Sequence, residues 1–230
     1  MTGNSPHRIG ELNEQPLHAG LKNWYARPGD RVEVSLDGFV VDIFREEGLI
    51  EIQTGSFSNI KKKMHRLTAN YPLTLVYPIA AEKWLYKLAK EEGEEDRRRK
   101  SPKRGRVEEV FFELVSFPEL LAEENFTLEV ALIQEEEVRR FSGRKMWWNN
   151  GWERVERRLI EVVRILSFST PGDLGNLLPE DLPPEFTTRD LAGALESSRS
   201  LAQKMAYCLR RVGEIEQVGK RGRSYLYMRA

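Results

Sequence analysis

Acidic side chains recur in the segment from residue 32 to residue 57 at positions that a folded sheet would bring together. Asp42 and the tripeptide Glu51-Ile52-Gln53 are the most informative of them. Carboxylates are the side chains that hard divalent cations such as Mg²⁺ prefer, whereas the glutamine side chain carries no charge. A shared patch holding Asp42 and Glu51 would therefore favour the binding of a divalent cation.

The segment predicts three short antiparallel strands joined by tight turns. Asp37-Gly38 is a strong signal for a two-residue hairpin turn. Pairing Leu36 with Phe39 across that turn places Glu33 opposite Asp42. The first two strands therefore carry two facing acids.

A second turn at Glu46-Glu47 or Glu47-Gly48 brings Glu51 level with Asp42 or one pair away. Side chains alternate between the two faces of a strand. One face then carries the apolar residues Val32, Val34, Leu36, Phe39, Val41, Ile43, Ile50 and Ile52. The other face carries Glu33, Asp42, Glu51 and Gln53.

The surrounding elements are predicted from periodicity. Residues 11 to 26 favour a helix, and residues 59 to 70 favour a second helix whose N-terminus Ser56 or Ser58 can cap. Residues 71 to 79 are almost wholly apolar, as in a strand covered on both faces. The predicted order is helix, three strands, helix and strand, which is an α/β arrangement.

Residues 10 to 80 resemble the PD-(D/E)xK nuclease superfamily in element order and residue type. Asp42 matches the metal-binding aspartate of the second strand, and Glu51 matches the metal-binding acid of the third. Glu14 matches the acid of the first helix, with Glu11 as the alternative. The resemblance implies a restriction-endonuclease-like fold, a mixed sheet with flanking helices. It also implies hydrolysis of DNA phosphodiester bonds with Mg²⁺ or Mn²⁺.

Two departures from the superfamily pattern concern catalysis. Val41 stands where proline usually precedes the aspartate, and Gln53 stands where lysine is most frequent. Glutamine lacks the positive charge that would help to orient a nucleophile. A lysine of the following helix can take that role, and the neighbouring candidates are Lys61, Lys62 and Lys63.

The C-terminal part resembles a winged helix-turn-helix. A segment rich in proline and glycine, residues 170 to 185, is predicted as a linker between a nuclease-like domain (1–169) and this domain (186–230). Thr187 or Thr188 caps a short helix, a longer helix follows, and two strands flank a basic turn. The second helix would enter the major groove, and the turn would contact phosphates or the minor groove.

The nucleic-acid contacts predicted from these two resemblances lie on the helix after the meander, on the longer C-terminal helix and on the basic turn. They are Lys61, Lys62, Arg199, Gln203, Lys204, Lys220, Arg221 and Arg223.

A further basic run lies at residues 97 to 106, where seven of ten residues are Lys or Arg, directly after an acidic run. It is either a solvated connector or a phosphate contact without sequence preference. The aromatic residues Met146-Trp147-Trp148 and Trp152 indicate packing more readily than base stacking.

Composition limits the partners and the cellular compartment that we expect for the chain. The chain of 230 residues has 36 Lys and Arg against 36 Asp and Glu, so any nucleic-acid role depends on local patches. The single Cys208 excludes an internal disulfide and fits a reducing compartment. No apolar leader or membrane-length run occurs, so we expect a cytoplasmic protein with DNA as partner, no membrane and a possible homodimer.

Alternative interpretations stay open from the sequence. The polar sheet face can simply be solvated. A nuclease fold without activity would act as a DNA-binding or regulatory protein, and a structural role in a larger complex is the third reading.

Overall fold

The computed structural model describes residues 15–90, 93–144 and 150–230. Glu11 and Glu14, which the sequence assigns to the first helix, lie outside the described residues. The same holds for Met146-Trp147-Trp148.

The described residues form six helices and ten strands in mixed order. The helices are α1 (Pro16–Tyr25), α2 (Lys61–Thr68), α3 (Phe111–Leu114), α4 (Pro171–Gly175), α5 (Thr188–Ala194) and α6 (Arg199–Arg211). The strands are β1 (Arg31–Leu36), β2 (Phe39–Arg45), β3 (Gly48–Ile52), β4 (Leu73–Lys87), β5 (Arg97–Lys100), β6 (Phe126–Phe141), β7 (Trp152–Phe168), β8 (Glu185–Phe186), β9 (Ile215–Arg221) and β10 (Ser224–Arg229).

Seven strands within the described residues form one mixed sheet in the order β1-β2-β3-β4-β6-β7, and β5 pairs with the far half of β4. The β1-β2-β3 meander is antiparallel. Strand β3 runs parallel to β4, and β4 runs parallel to β6. Strand β7 returns antiparallel to β6. The chain is therefore an α/β protein with a central mixed sheet and flanking helices.

Helices cover both faces of the sheet because β3 and β4 are apolar on both sides. On one face, Leu17 and Leu21 of α1 pack with Ile43, Ile50 and Ile52. On the other face, a larger cluster holds Met64 and Leu67 of α2 together with Leu49, Leu75 and Phe57. The two clusters fix α1 and α2 on opposite sides of the meander.

The hairpin register agrees with the sequence-based expectation. Leu36 pairs with Phe39 across the turn. The pair Ile43–Ile50 defines the register of β2 and β3, and one step further places Asp42 level with Glu51. The meander therefore brings the two acids to neighbouring positions.

The predicted apolar face is interrupted at Asp42. Glu33 has a positive φ of 54°, and the ladder lacks a pair between Val32–Ile43 and Val34–Val41. Val41 consequently packs in the cluster of α2, whereas Ile43 packs in that of α1. The prediction of one common apolar face was wrong here, because simple alternation assumes an uninterrupted strand.

Other expected elements differ in detail. The apolar pattern of residues 107 to 121 predicts a helix, but the structure has a 3-10 turn, the short α3 and a second 3-10 turn there. Residues 157 to 168 predict a strand or a buried helix, and in the structure they belong to the 17-residue strand β7. The charged connector contains the exposed strand β5.

The C-terminal elements form a second, three-stranded sheet in the order β8-β10-β9, packed with α5 and α6. Leu191, Leu201, Met205 and Cys208 are buried in the same cluster as Leu75 of the central sheet. The C-terminal elements and the central sheet thus share one core.

Two C-terminal expectations need adjustment. Residues 170–185, predicted as a linker, contain α4 and bury Leu174 and Leu178 in the shared core. The apolar pattern of the C-terminal helices and strands predicts Tyr225 in their core, but Tyr225 is 49% exposed and Tyr227 is buried instead. A register shift between Leu226 and Tyr227 accompanies this change.

None of the helices in the described part of the chain combines the length and apolarity that a bilayer crossing requires.

Candidate functional site

Asp42 lies on β2 and its carboxylate spans the gap between two elements. Oδ2 accepts the backbone N–H of Ile52 on β3 at 2.8 Å. It also lies 3.2 Å from Nε2 of His18 on α1. These contacts hold the Asp42 carboxylate beside β3, the strand that carries Glu51.

Glu51 lies on β3 and is 6% exposed. Its Oε1 accepts a hydrogen bond from Nζ of Lys63 on α2, and the same ammonium donates to the carbonyl of Val40 at 2.5 Å. The second carboxylate oxygen, Oε2, is buried and has no hydrogen-bond partner among the described residues. A buried carboxylate oxygen without a donor is costly, so this atom is poised to accept a ligand.

The pKa values of the two acids move in opposite directions. For Asp42, burial raises the pKa, but the His18 hydrogen bond and charge, the Ile52 N–H and Lys63 outweigh burial, so its pKa is lowered. For Glu51, burial and the charge of Asp42 raise the pKa to about 7 against the opposing effect of Lys63. Two neighbouring carboxylates whose pKa values are pushed apart are typical of chemically active sites.

Gln53 stands apart from this pair. Its backbone N–H continues the parallel ladder to the carbonyl of Val76 at 2.9 Å. Its side-chain amide donates to the carbonyl of Ser56 at 2.7 Å and thereby closes the turn after β3. Among the described residues, the Gln53 side chain therefore forms its hydrogen bond in the turn and none with Asp42 or Glu51. Glu14 lies outside the described residues.

Two cationic or titratable partners complete the site. By sequence, His18 is a lone histidine on the predicted first helix near the proposed acids, which is more typical of a surface or hydrogen-bonded residue than of a ligand. It follows the buried Leu17 on α1, and this adjacency sets it at the edge of the buried helix face. Lys63 was one of three candidate lysines, and it precedes the buried Met64. Lys61 and Lys62 are exposed, so the structure singles out Lys63 as the lysine that reaches Glu51.

The donor set fits a hard divalent cation with few protein ligands. Mg²⁺ is commonly held by one or two carboxylates and keeps several waters. The free Oε2 of Glu51 and the neighbouring Asp42 carboxylate match that demand. Within the described ranges, no group of three or more His, Cys, Asp or Glu side chains is arranged to hold a metal ion. A two-carboxylate site is thus the arrangement that these residues offer.

The predicted nucleic-acid contacts lie mostly on the surface. Arg199 and Gln203 of α6 are exposed, as are Lys220 and Arg223 at the turn between β9 and β10. Three residues of the predicted set have contacts within the protein. The ammonium of Lys220 lies 5.3 Å from the Tyr225 ring centre. Lys204 is half-buried, with its ammonium 5.9 Å from the Phe112 ring centre. Arg221 contacts Asp190 and the carbonyl of Glu185, each at 3.4 Å.

Comparison with known proteins places the chain in a family. The model of the family described as "Domain of unknown function (DUF8091)" matches residues 15–169, which is more than half of the chain. The chain therefore belongs to this family.

A relative in Treponema pallidum (strain Nichols), described as "Uncharacterized protein", is 29% identical over 221 residues. The match covers 95% of this chain and 86% of the relative, so it includes the C-terminal elements. No solved structure matches the chain.

Proposed function

We propose that the protein is a metal-dependent nuclease that hydrolyses DNA phosphodiester bonds, with a restriction-endonuclease-like central sheet. The single observation that carries this proposal is the buried, donor-free Oε2 of Glu51 next to the Asp42 carboxylate. The order α1-β1-β2-β3-α2-β4, with β3 parallel to β4, supports it because it matches the order inferred from the resemblance.

Each residue of the site has a role in this proposal. Asp42 and Glu51 would hold Mg²⁺ or Mn²⁺. The bound ion would supply an acidified water and neutralise charge on the phosphate. His18 fixes the orientation of the Asp42 carboxylate through its 3.2 Å contact. Lys63 supplies the positive charge that Gln53 lacks, and its contact with Glu51 holds that charge beside the acid.

The C-terminal elements are proposed to act as a winged helix that binds DNA. Their order, α4, β8, α5, α6, β9 and β10, and the sheet order β8-β10-β9 support this assignment. The exposed residues Arg199 and Gln203 would face the major groove, and Lys220 and Arg223 would contact the backbone. Shared packing with the central sheet would hold this surface in a fixed relation to Glu51.

The proposal is tested by cleavage of a linear DNA duplex with Mg²⁺ or Mn²⁺. Asp42→Asn and Glu51→Gln are expected to lower the cleavage rate by about 100-fold or more, because each removes a ligand charge. Asp37→Asn is a matched control. Asp37 is an exposed acid in the hairpin turn with a positive φ that asparagine tolerates. A wild-type protein that cuts no duplex with either ion would contradict the proposal.

A second candidate is a nuclease fold that binds DNA without cutting it. One observation favours it: the ammonium of Lys63 already occupies Oε1 of Glu51 and can itself neutralise the acid pair. In a catalytic site, Lys63→Met lowers cleavage while DNA affinity stays the same. In a non-catalytic site, the same change affects only stability.

Gln53→Lys provides the complementary measurement. Since the side chain at position 53 is directed to the Ser56 carbonyl, a lysine there is not expected to raise cleavage by more than about threefold. A large gain would show that position 53 reaches the reacting phosphate.

A further inference from the structure

Strand β5 divides its four cations between two surfaces. It pairs antiparallel with the far half of β4, so Arg97 lies beside Lys87 and Arg99 beside Leu85. Arg98 and Lys100 alternate with them and lie on the opposite face. The two faces have the same number of β5 cations, but their surroundings differ.

On one face, the cations are neutralised. Arg98 donates to Glu136 at 2.8 Å, and Lys100 lies 2.7 Å from Glu82. Both also lie near the Trp84 ring, at 4.2 Å and 5.7 Å from its centre. This face is a network of paired charges that holds β5 against β4.

On the other face, the cations have no such partners. Among the described residues, no carboxylate forms an ion pair with Lys87, Lys90, Arg97 or Arg99, and these four residues with Trp152 define the basic groove. Burial lowers the pKa of Lys87, and the charges of Arg99, Arg139, Lys90 and Arg97 lower it further. The groove therefore concentrates positive charge that repels itself.

The groove is concave. It encloses about 680 Å³ and is lined by the four cations and Trp152, with Glu94, Glu95 and Arg98 among its other lining residues. Lys87 and Lys90 lie 4.2 Å and 5.6 Å from the centre of the Trp152 ring. The Glu94 carboxylate accepts the backbone N–H of Lys90 at 3.3 Å and forms no ion pair with these cations.

We propose that the basic groove binds phosphates of a nucleic-acid backbone without sequence preference; this rests on the proposed function. Phosphates between Arg97, Arg99 and the two lysines would remove their mutual repulsion, and guanidinium groups bind phosphate oxygens in pairs. The Trp152 ring is already in contact with two ammonium groups. The groove therefore recognises charge and not base identity.

The distance between the basic groove and the candidate site determines how long a duplex must be to contact both. Glu51 pairs with Leu75 on β4, and Lys87 lies twelve residues further along the same strand. At about 3.3 Å per residue, the groove is at most about 40 Å from the candidate site. A duplex of about 12 base pairs is therefore long enough to reach both regions.

The test compares two double variants that remove equal charge. Arg97→Ala with Arg99→Ala removes two cations from the basic groove. Lys100→Ala with Arg104→Ala, the paired-side variant, removes two cations that pair with Glu82 outside the groove. Both are made in full-length protein carrying Asp42→Asn, so that cleavage does not interfere. Binding of a labelled duplex of about 30 base pairs is measured by fluorescence anisotropy at several salt concentrations.

The groove-side variant is expected to lose about tenfold or more in affinity at about 0.1 M salt. The slope of log K against log salt should fall by about two, since two phosphate contacts are removed. The paired-side variant should stay within about threefold of its parent. For both, an unchanged circular dichroism spectrum and unfolding midpoint exclude a folding defect.

Several outcomes would overturn the inference. Equal losses in both variants would show a general charge effect. Unchanged binding in the groove-side variant, even with DNA cleavage intact in the wild type, would leave the proposed function standing and reject the groove. Binding of anionic phospholipid vesicles through Arg97 and Arg99 without duplex binding would also reject it. Selective loss of duplex binding in a protein that never cuts DNA would support the groove and contradict the nuclease.

Discussion

The two acids of the candidate site differ in how strongly the fold stabilises their charge. Asp42 receives a backbone N–H and a histidine contact on the same oxygen. Glu51 receives one lysine and leaves its second oxygen without a donor. Near neutral pH, Glu51 is therefore the acid whose charge changes with its surroundings, and Asp42 stays ionised.

This difference predicts a pH-dependent stability. The pKa of Glu51 is raised from 4.5 to about 7. Protonated Glu51 therefore stabilises the folded state. This stabilisation is fully present below pH 4.5 and is lost as the pH rises through 7. Between pH 5 and pH 8, the free energy of unfolding of the wild type should fall by about 1–3 kcal/mol relative to Glu51→Gln. Urea denaturation at a series of pH values measures this.

The control for that experiment is Glu124→Gln, which changes an exposed glutamate. It should follow the wild-type pH profile. The lowered pKa of Asp42 does not interfere, because its stabilisation is complete above the ordinary aspartate pKa and stays constant over this range. Parallel profiles for the wild type and Glu51→Gln would show that Glu51 titrates normally.

At the scale of elements, α5 depends on Thr187, the residue that directly precedes it. Thr187 accepts the N–H of Asp190 at 3.3 Å, and the Asp190 carboxylate accepts the N–H of Thr187 at 2.8 Å. This capping box begins a helix of only seven residues. Short helices depend strongly on such caps because few internal hydrogen bonds stabilise them.

Thr187→Ala is expected to lower the free energy of unfolding by about 1–2 kcal/mol because it removes the cap. Thr188→Ala is the matched control, since Thr188 is already inside the helix and should cost less than about 0.5 kcal/mol. Both are measured by urea denaturation at one pH. Equal costs for the two variants would contradict the role of the cap.

The sequence predicted the meander well because turn residues and strand alternation depend on residues that are close together in the chain. The Asp37-Gly38 turn and strand alternation set the register of Leu36 with Phe39 and the neighbouring positions of Asp42 and Glu51. Alternation could not predict the break at Glu33, where the backbone adopts a positive φ of 54°. Such a break depends on the neighbouring elements and not on residue type.

Long-range contacts were harder to predict. That Lys63, and not Lys61 or Lys62, reaches Glu51 depends on how α2 is rotated on the sheet. The helix predicted at residues 107 to 121 is broken at Phe117, which directly precedes Pro118 and has a non-helical backbone (φ −159°, ψ 58°). Hydrophobic periodicity predicts one buried helix face and does not register such a break.

At the scale of the whole molecule, the central sheet and the C-terminal elements are joined by a continuous apolar core. Cys208 of α6 lies in that core and is fully buried. Burial also raises the pKa of its thiol to about 12. The thiol is therefore shielded from reagents as long as the core is intact.

Labelling of Cys208 with a thiol reagent is expected only when the whole protein unfolds. The labelled fraction should follow the loss of circular dichroism across a urea titration with the same midpoint. Tyr207→Cys in a Cys208→Ala background is the control. Tyr207 is exposed, so the new thiol should react without urea. Labelling of Cys208 at urea concentrations that leave the sheet folded would show that the C-terminal elements open separately.

Strand β7 ends the main sheet, so one side of a 17-residue strand has no neighbour among the described residues. Free backbone amides and carbonyls along such a rim attract other chains, and Ile160 and Val163 are exposed there. Glu161, an exposed acid, lies between these two residues, and the exposed Arg164 follows Val163. Charges on an edge strand oppose its pairing with another strand. Replacing Glu161 and Arg164 with valine would turn a protected rim into a nucleus for fibre growth.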